Sequence, residues 1–209
     1  MGSAERRTRE RAETRQRILE AAREMFVEAG YEATTMREIA DRIEYTPTAI
    51  YHHFHNKEAL LAELCALDFQ AMAASFQKLA RIADPIERLR RCGRAYVEFG
   101  VQHPMQYQLM FMTRKPPEVV RTIHGPDPSE NAYEFLRMTC ADVIATGRVR
   151  PEYRNVDELA VMSWSALHGL LSLYIAKEKD DWIQWKDPRG IADRICDALL
   201  EGVLQEPGG

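Results

Sequence analysis

No two of the four cysteines, Cys65, Cys92, Cys140 and Cys196, are close in sequence, and none forms a C-x-x-C pair. That spacing excludes a zinc module and a small disulfide scaffold, and it predicts buried free thiols in a reducing compartment. No unbroken apolar run approaches the roughly 18 residues of a membrane span. The opening MGSAERRTRERAETR lacks the apolar core of a secretory signal. The expectation is therefore a cytoplasmic protein with no membrane partner. Sustained period-two alternation and β-branched runs are missing too, so no strand is predicted. There is no phosphate-cradling glycine loop, no nucleophile–base pair and no metal cluster. Neither catalytic nor metal-ligating residues are assigned, and no cofactor or enzymatic activity is expected.

What remains is ordinary in bulk and uneven in detail. A chain of 209 residues that is 45% hydrophobic and 29% charged is typical of a soluble globular protein. Its net charge is −4, yet residues 1–17 carry six arginines against three glutamates. A basic arm on an acidic body goes with nucleic-acid contact. A solvated helix face held by Glu/Arg pairs explains the same pattern equally well.

Apolar periodicity predicts an all-α protein of about nine helices. The first runs from about Thr8 to Ala29, with Ile18, Ala22, Met25, Phe26 and Ala29 on one stripe and Gly30 as its stop. TTMREIADRI is a short second helix, capped by Thr34 or Thr35 with Glu38 completing a capping box. EYT turns the chain, and TPTAIYHHF starts a third helix with Thr46 as cap and Pro47 at the first helical position. A long helix follows from Asn56, then one from Asp84-Pro85 and a short one after Pro104. TRKPPEVVRTIHGPDPS, with four prolines, reads as a loop or broken segment rather than a regular helix. Helices are predicted again over 129–146, from Asn155 or Asp157 to Lys177, and over 188–204, and the closing EPGG reads as frayed. We place the domain boundary near Asn56: an arm and three-helix head over 1–55, and a larger helical bundle over 56–209.

Two short helices joined by a tight turn and packed on a longer one make a helix-turn-helix. The second must be narrow, free at its N-terminus and polar on one side to enter a major groove. TPTAIYHHF meets those demands. Ile50 and Phe54, spaced i, i+4, pin it inward and leave Pro47, Thr48, Ala49, His52 and His53 outward. Three histidines in four positions also raise a metal site, but His52 and His53 diverge by about 100° and no third or fourth ligand is at hand. Acid–base work by Tyr51 and His52 needs a pocket that a groove-facing helix does not offer. Packing without a DNA role is the remaining alternative.

The run ILEAAREMFVEAGYEATTMREIADRI…TPTAIYHHFHNKEALL resembles the DNA-binding domain of the tetracycline-repressor (TetR/AcrR) family over about residues 11–61. The shared positions include Gly30-Tyr31, Thr34-Thr35, Ile39-Ala40, Tyr51-His52-His53-Phe54 and Asn56-Lys57-Glu58-Ala59-Leu60. The resemblance implies a homodimeric, ligand-responsive, sequence-specific regulator, most often a repressor released from palindromic double-stranded DNA by a small-molecule effector. It places Thr35, Thr46, Tyr51 and Lys57 on phosphates and Pro47, Thr48 and His52 nearest the bases. One position departs from the family: Glu44 stands where the turn has a glycine in the left-handed conformation.

In the C-terminal part, YVEFGVQHPMQYQLMFM and VMSWSALHGLLSLYI resemble the Trp-His-Gly subgroup of that family. An aromatic and methionine stripe is more often core than pocket, but it also lines adaptable sites for greasy ligands. We take Phe99, Tyr107, Met110, Phe111, Trp164 and His168 as candidates for a hydrophobic or aromatic effector. The last two helices, with Leu171, Tyr174, Ile191, Ile195 and Leu199, are the candidate dimer surface. The proline-rich 116–128 is a possible portal.

Overall fold

The computed structural model describes residues 2–123 and 131–205 of the chain. Ten α-helices occur among them: α1 (Ser3–Glu28), α2 (Met36–Arg42), α3 (Pro47–Tyr51), α4 (Lys57–Gln77), α5 (Pro85–Gln102), α6 (Pro104–Tyr107), α7 (Pro117–Ile123), α8 (Ala132–Ala145), α9 (Val156–Lys177) and α10 (Pro188–Val203). A π-helical turn over Gln108–Met112 follows α6 directly. The described residues contain no strand, only an isolated antiparallel bridge between Val149 and Leu204.

The predicted caps explain most boundaries. Asp84, Asn155 and Asp187 each accept hydrogen bonds from backbone N–H groups of the first helical turn, as does Asn131, which the sequence reading did not name. Pro85 and Pro188 occupy first helical positions, where a missing N–H is harmless. Gly30 takes φ +87° just past α1.

α3 ends at Tyr51 rather than Phe54 and α8 begins at Ala132 rather than 129, and two larger departures from the sequence reading concern α1 and the proline-rich segment. α1 begins at Ser3 rather than Thr8, with Arg6–Glu10 and Arg9–Glu13 pairs one turn apart along it at 3.4 and 3.5 Å. The predicted proline-rich loop contains a tenth helix, α7. Pro117 acts there as a first-turn residue rather than a breaker, and Val119 is buried. The rest of that segment, 124–130, and the closing 206–209 lie outside the described residues.

The chain divides into two compact units, Met1–Asp68 with Met105–Gly125, and Phe69–Pro104 with Pro126–Gly209. This grouping differs from the sequence division at 55/56, because the first part of α4 and the segment from Met105 belong with the head. In the first unit Ile18, Ala22, Phe26, Ile39, Ile50, Leu60, Leu61, Leu64, Tyr107 and Leu109 are all 1% exposed or less. Arg23 of α1 and Asp68 of α4 form a largely buried ion pair there, and Arg15 pairs with Glu63.

The second unit has its own apolar cluster of Ile86, Leu89, Cys140, Val143, Val149, Leu159, Ala160, Leu200 and Val203. Gly93 lets α5 lie close to its neighbours: a Cβ there would sit 2.5 Å from Cys196 Sγ and 2.9 Å from a Leu167 methyl. Leu171, assigned above to a partner surface, is 0% exposed inside this unit. It supports α9 from within and is removed from the dimer candidates.

Averaged over 18 residues, the α4 segment (Lys57–Arg81) and α9 do match a membrane span by length and composition, although neither contains an unbroken apolar run. Less than a third of the α9 window is buried, so that helix leaves an apolar face uncovered.

Candidate nucleic-acid interface and effector site

The head is built from its caps outward. Thr35 caps α2 with a full capping box: its Oγ1 accepts from Glu38 N at 3.2 Å, while Glu38 Oε2 accepts from Thr35 N and Oγ1 at 2.8 Å each. Those bonds hold the Glu38 carboxyl below its ordinary pKa. They also commit the Thr35 hydroxyl proton, so this residue serves first as a cap.

Thr46 caps α3 by accepting from Ala49 N at 3.3 Å, with Pro47 next. Ile50 is 0% and Phe54 3% exposed, so one side of α3 is anchored in the core. The other side is open: Thr46, Thr48, Tyr51 and His52 are exposed, Tyr51 by 53%, and Pro47 is half-buried beside them. Five of the seven predicted contact residues therefore share one accessible surface.

Lys57 is not on that surface in the expected way. Its ammonium donates to the carbonyls of Tyr31 at 2.7 Å, Thr34 at 2.9 Å and Glu32 at 3.4 Å, and sits 4.2 Å from the centre of the Tyr31 ring. Tyr31 in turn donates to Glu58 Oε1 at 3.1 Å. Lys57 thus locks the α1–α2 loop onto the start of α4. Its three donors are used on backbone carbonyls, which corrects its assignment to a phosphate.

The turn answers the question that Glu44 raised. Glu44 has φ +62°, the one non-glycine residue with positive φ among the described residues. Its N–H bonds to Asp41 O at 3.2 Å, and Tyr45 N–H bonds to Ala40 O at 2.9 Å. These are the two bonds of a Schellman helix stop with Glu44 in the usual glycine position. Arg17 of α1 holds the turn from outside, donating to Ile43 O at 3.3 Å and lying 5.2 Å from the Tyr45 ring centre. The left-handed turn forms without a glycine, at a local cost.

Left-handed backbone costs a residue with a Cβ about 1–2 kcal/mol, and glycine's greater unfolded freedom offsets part of that. Glu44→Gly is therefore expected to stabilise the head by about 0.5–1 kcal/mol. Glu44→Val is expected to lower the melting temperature below wild type, since a β-branched residue tolerates this conformation worst. A melting series in which glycine is the least stable of the three would contradict the strain argument.

The effector candidates fall in two groups. In the first unit Tyr107 and Met110 are buried and Phe111 half-buried, with the Tyr107 and Phe111 rings 5.0 Å apart. They flank the π turn, where Thr113 N–H reaches back five residues to Gln108 O. Such turns recur at functional sites. Lys115 closes it by donating to Met110 O at 2.7 Å and Thr113 O at 3.1 Å, and burial depresses its pKa.

In the second unit Phe99 is buried and Trp164 and His168 are half-buried. Trp164 Nε1 donates to Tyr96 Oη at 2.9 Å, and Tyr96 Oη lies 3.3 Å from His168 Nδ1. Desolvation lowers the His168 pKa. With Nδ1 unprotonated, the ring can accept a hydrogen bond from the Tyr96 hydroxyl there. Tyr96 links the Trp–His pair, a role its place in the aromatic stripe did not distinguish.

Comparison with known proteins decides the family. A profile described as "Bacterial regulatory proteins, tetR family" matches residues 18–64, and one described as "Tetracyclin repressor-like, C-terminal domain" matches residues 89–199, more than half of the chain. The chain belongs to the tetR family.

Among its curated relatives, the HTH-type transcriptional regulator UidR of Escherichia coli K12 is 40% identical over 74 residues, 35% of each chain. The HTH-type transcriptional repressor KstR2 of Mycobacterium tuberculosis H37Rv is 36% identical over 90 residues, 43% of this chain and 45% of the relative. This TetR-family chain thus spans about a third to a half of the length of those relatives. Both are transcriptional regulators, not enzymes. The solved structure of the transcriptional regulator FadR from Bacillus subtilis, in complex with stearoyl-CoA, shares the fold at 16% identity with a TM-score of 0.74, covering 90% of this chain and 98% of that one. The Trp-His-Gly resemblance rests on its two short motifs, since the C-terminal match is to the tetracyclin repressor-like domain.

For the histidines, no group of three or more metal-ligating residues with metal-site geometry occurs among the described residues. Sequence reading also passed over Arg17 and Tyr45. A helix-turn-helix pattern has no signal for which outside residue braces the turn.

Proposed function

We propose that this TetR-family protein is a homodimeric repressor whose α3 reads a palindromic DNA operator and whose helical C-terminal part releases it when a small, mainly apolar effector binds. The observation that carries the DNA-reading part is α3 itself: capped by Thr46, begun by Pro47, pinned by Ile50 and Phe54, and exposing Thr48, Tyr51 and His52 on one side. Small residues at its N-terminus allow close approach to base edges, while Tyr51 and the free N–H groups of the first turn suit phosphates. KstR2 supports repression as the direction of control.

Two-fold symmetry is what a palindrome requires. The surface favoured for it is the uncovered face of α9, with Val161, Met162 and Leu173 more than a third exposed, beside half-buried Tyr174 and the α10 residues Ile191, Ile195 and Leu199. The effector acts only through its different affinity for the DNA-competent and incompetent conformers. α4, which has residues in both units, is the covalent lever between them. The apolar class of effector is supported separately by the Tyr107, Met110 and Phe111 group of the first unit and by the Phe99, Trp164 and His168 group of the second, and FadR from Bacillus subtilis, which shares the fold, is solved in complex with stearoyl-CoA.

Fluorescence anisotropy with duplexes from the region upstream of the protein's own gene tests the reading. The expected result is salt-sensitive binding to a palindrome, weakened at least tenfold by Tyr51→Ala, and released by long-chain acyl or aromatic compounds but not by small polar ones. Failure of wild type to select any sequence there overturns the DNA-reading function. An unchanged Tyr51→Ala affinity overturns the phosphate assignment.

A further inference from the structure

α1 extends beyond the packed head. Its core stripe, Ile18, Ala22 and Phe26, is 0–1% exposed. Continued toward the N-terminus at i−3 and i−4 spacing, that stripe is occupied by Arg15, then Arg11, then Arg7. The first of these still touches the head. Arg15 donates to His53 O at 3.2 Å, lies 4.2 Å from the Phe54 ring centre and pairs with Glu63. The next two have passed the end of the core: Arg7 and Arg11 are exposed and have no ion-pair partner among the described residues.

The other arm arginines behave differently. Arg6 and Arg9 are paired with Glu10 and Glu13, and Arg17 is turned to the α2–α3 turn. One helix therefore carries two classes of arginine. Those off the stripe are neutralised or engaged, and the two on its outer end are uncompensated.

The stripe also points to a definite place. Ile18 and Arg15 fix its direction toward α2 and α3, so Arg11 and Arg7 project from the side of α1 that the reading helix occupies. Burial first, and then the nearby charges of Arg11 and Arg15, disfavour protonation of His53 just past the end of α3, which places Arg11 on that side of α1. At 1.5 Å per residue, Arg7 lies about 12 Å beyond Arg15 along the axis. That reach spans about three phosphates of one strand, at about 3.4 Å of helix axis each, and is short of the roughly 34–36 Å turn of DNA.

We propose that Arg7 and Arg11 form a second DNA contact, a clamp on the phosphate backbone that flanks each half-site read by α3. The proposal rests on the DNA-reading function above. It predicts contacts that are independent of sequence, since two guanidinium groups on a helix face meet backbone charge rather than base edges.

The test uses the full-length protein and an upstream-region duplex that wild type binds, with affinity measured from 50 to 300 mM KCl. Each lost phosphate contact lowers the slope of log K against log salt by about 0.9. Arg7→Gln/Arg11→Gln is expected to lower it by about 1.8 per protomer and to weaken binding roughly tenfold or more at 0.1 M salt. Hydroxyl-radical protection at the outer edges of the site is expected to disappear while the centre stays protected. Arg6→Gln/Arg9→Gln removes the same charge from the other faces and is expected to leave the slope and the outer protection near wild type.

Equal slopes for wild type and Arg7→Gln/Arg11→Gln would overturn the clamp while leaving the function intact. Equal losses from the two double variants would overturn it as well, because the arm would then act only through its net charge. Far-UV circular dichroism of each variant shows whether α1 is still helical. In a variant that has lost helix, Arg7→Lys/Arg11→Lys replaces it, and retention of the wild-type slope by that charge-keeping pair supports the clamp.

Discussion

Arg23→Met is expected to destabilise the first unit by about 3 kcal/mol, because removing one partner of a buried ion pair leaves the other desolvated. Asp68 is 3% exposed, and Arg23 reaches it from α1 across to α4. The pair joins α1, which backs the helix-turn-helix, to α4, which runs out of it. Its worth is not the Coulomb energy alone, since taking both charges from water costs about as much as their attraction returns. The informative comparison is therefore the double variant Arg23→Met/Asp68→Leu, expected to recover most of the lost stability. Amide exchange in α1 is the right measurement. Trp164, Trp182 and Trp185 all belong to the second unit, so tryptophan fluorescence reports on the wrong part of the chain. A single variant costing under 1 kcal/mol, or a double variant no better than the single one, would show that the pair does not hold these helices together.

Tyr107→Ala is expected to cost about 4 kcal/mol, in the range for deleting a buried aromatic ring. Tyr107 is 0% exposed and packs against Phe111 beside the π turn. Its place among the effector candidates makes the prediction discriminating. A ring lining an open cavity loses fewer contacts on truncation, and its removal enlarges the cavity without a large loss of stability. A ring integral to the core takes the surrounding structure with it. Tyr107→Phe keeps the ring and is expected to cost about 1 kcal/mol. Urea unfolding followed by far-UV circular dichroism, with exchange in Leu109 and Met110 as the local probe, separates the two. A loss below about 1.5 kcal/mol for the alanine variant would mark Tyr107 as a pocket wall.

Much of the head was legible because its signals are local. Thr35, Thr46 and Pro47 act within three residues of themselves, so cap, first turn and helix start can be read along the chain. Ile50 and Phe54 follow the same logic at i, i+4. Glu44 was legible as a departure, since a left-handed position needs either a glycine or a tolerated strain. α7 was missed because proline has two opposite meanings. It breaks a helix from inside and begins one from its first position, and the count of prolines in 116–128 does not say which applies.

The C-terminal reading was weaker for a different reason. Aromatic and methionine residues at helical spacing announce burial, but burial against core, effector or partner copy has the same pattern. Leu171 illustrates it: the α9 stripe made it a surface candidate, and the packing of its own unit encloses it completely. Trp164 and His168 share α9 but Tyr96 comes from α5, and only folding shows that its hydroxyl joins the other two rings.

The sequence by itself determined the all-helical class, the helix-turn-helix, its capped second helix and the family, because each depends on periodicity and on residues that act over one turn. Only the tertiary structure decided that Lys57 is spent on three carbonyls, that Arg17 braces the strained turn, and that Arg15 is engaged by the head while Arg7 and Arg11, on the same stripe of α1, have no ion-pair partner among the described residues. Those outcomes depend on which distant atoms meet a side chain, and a charge carries no record of its partner until the chain has folded around it.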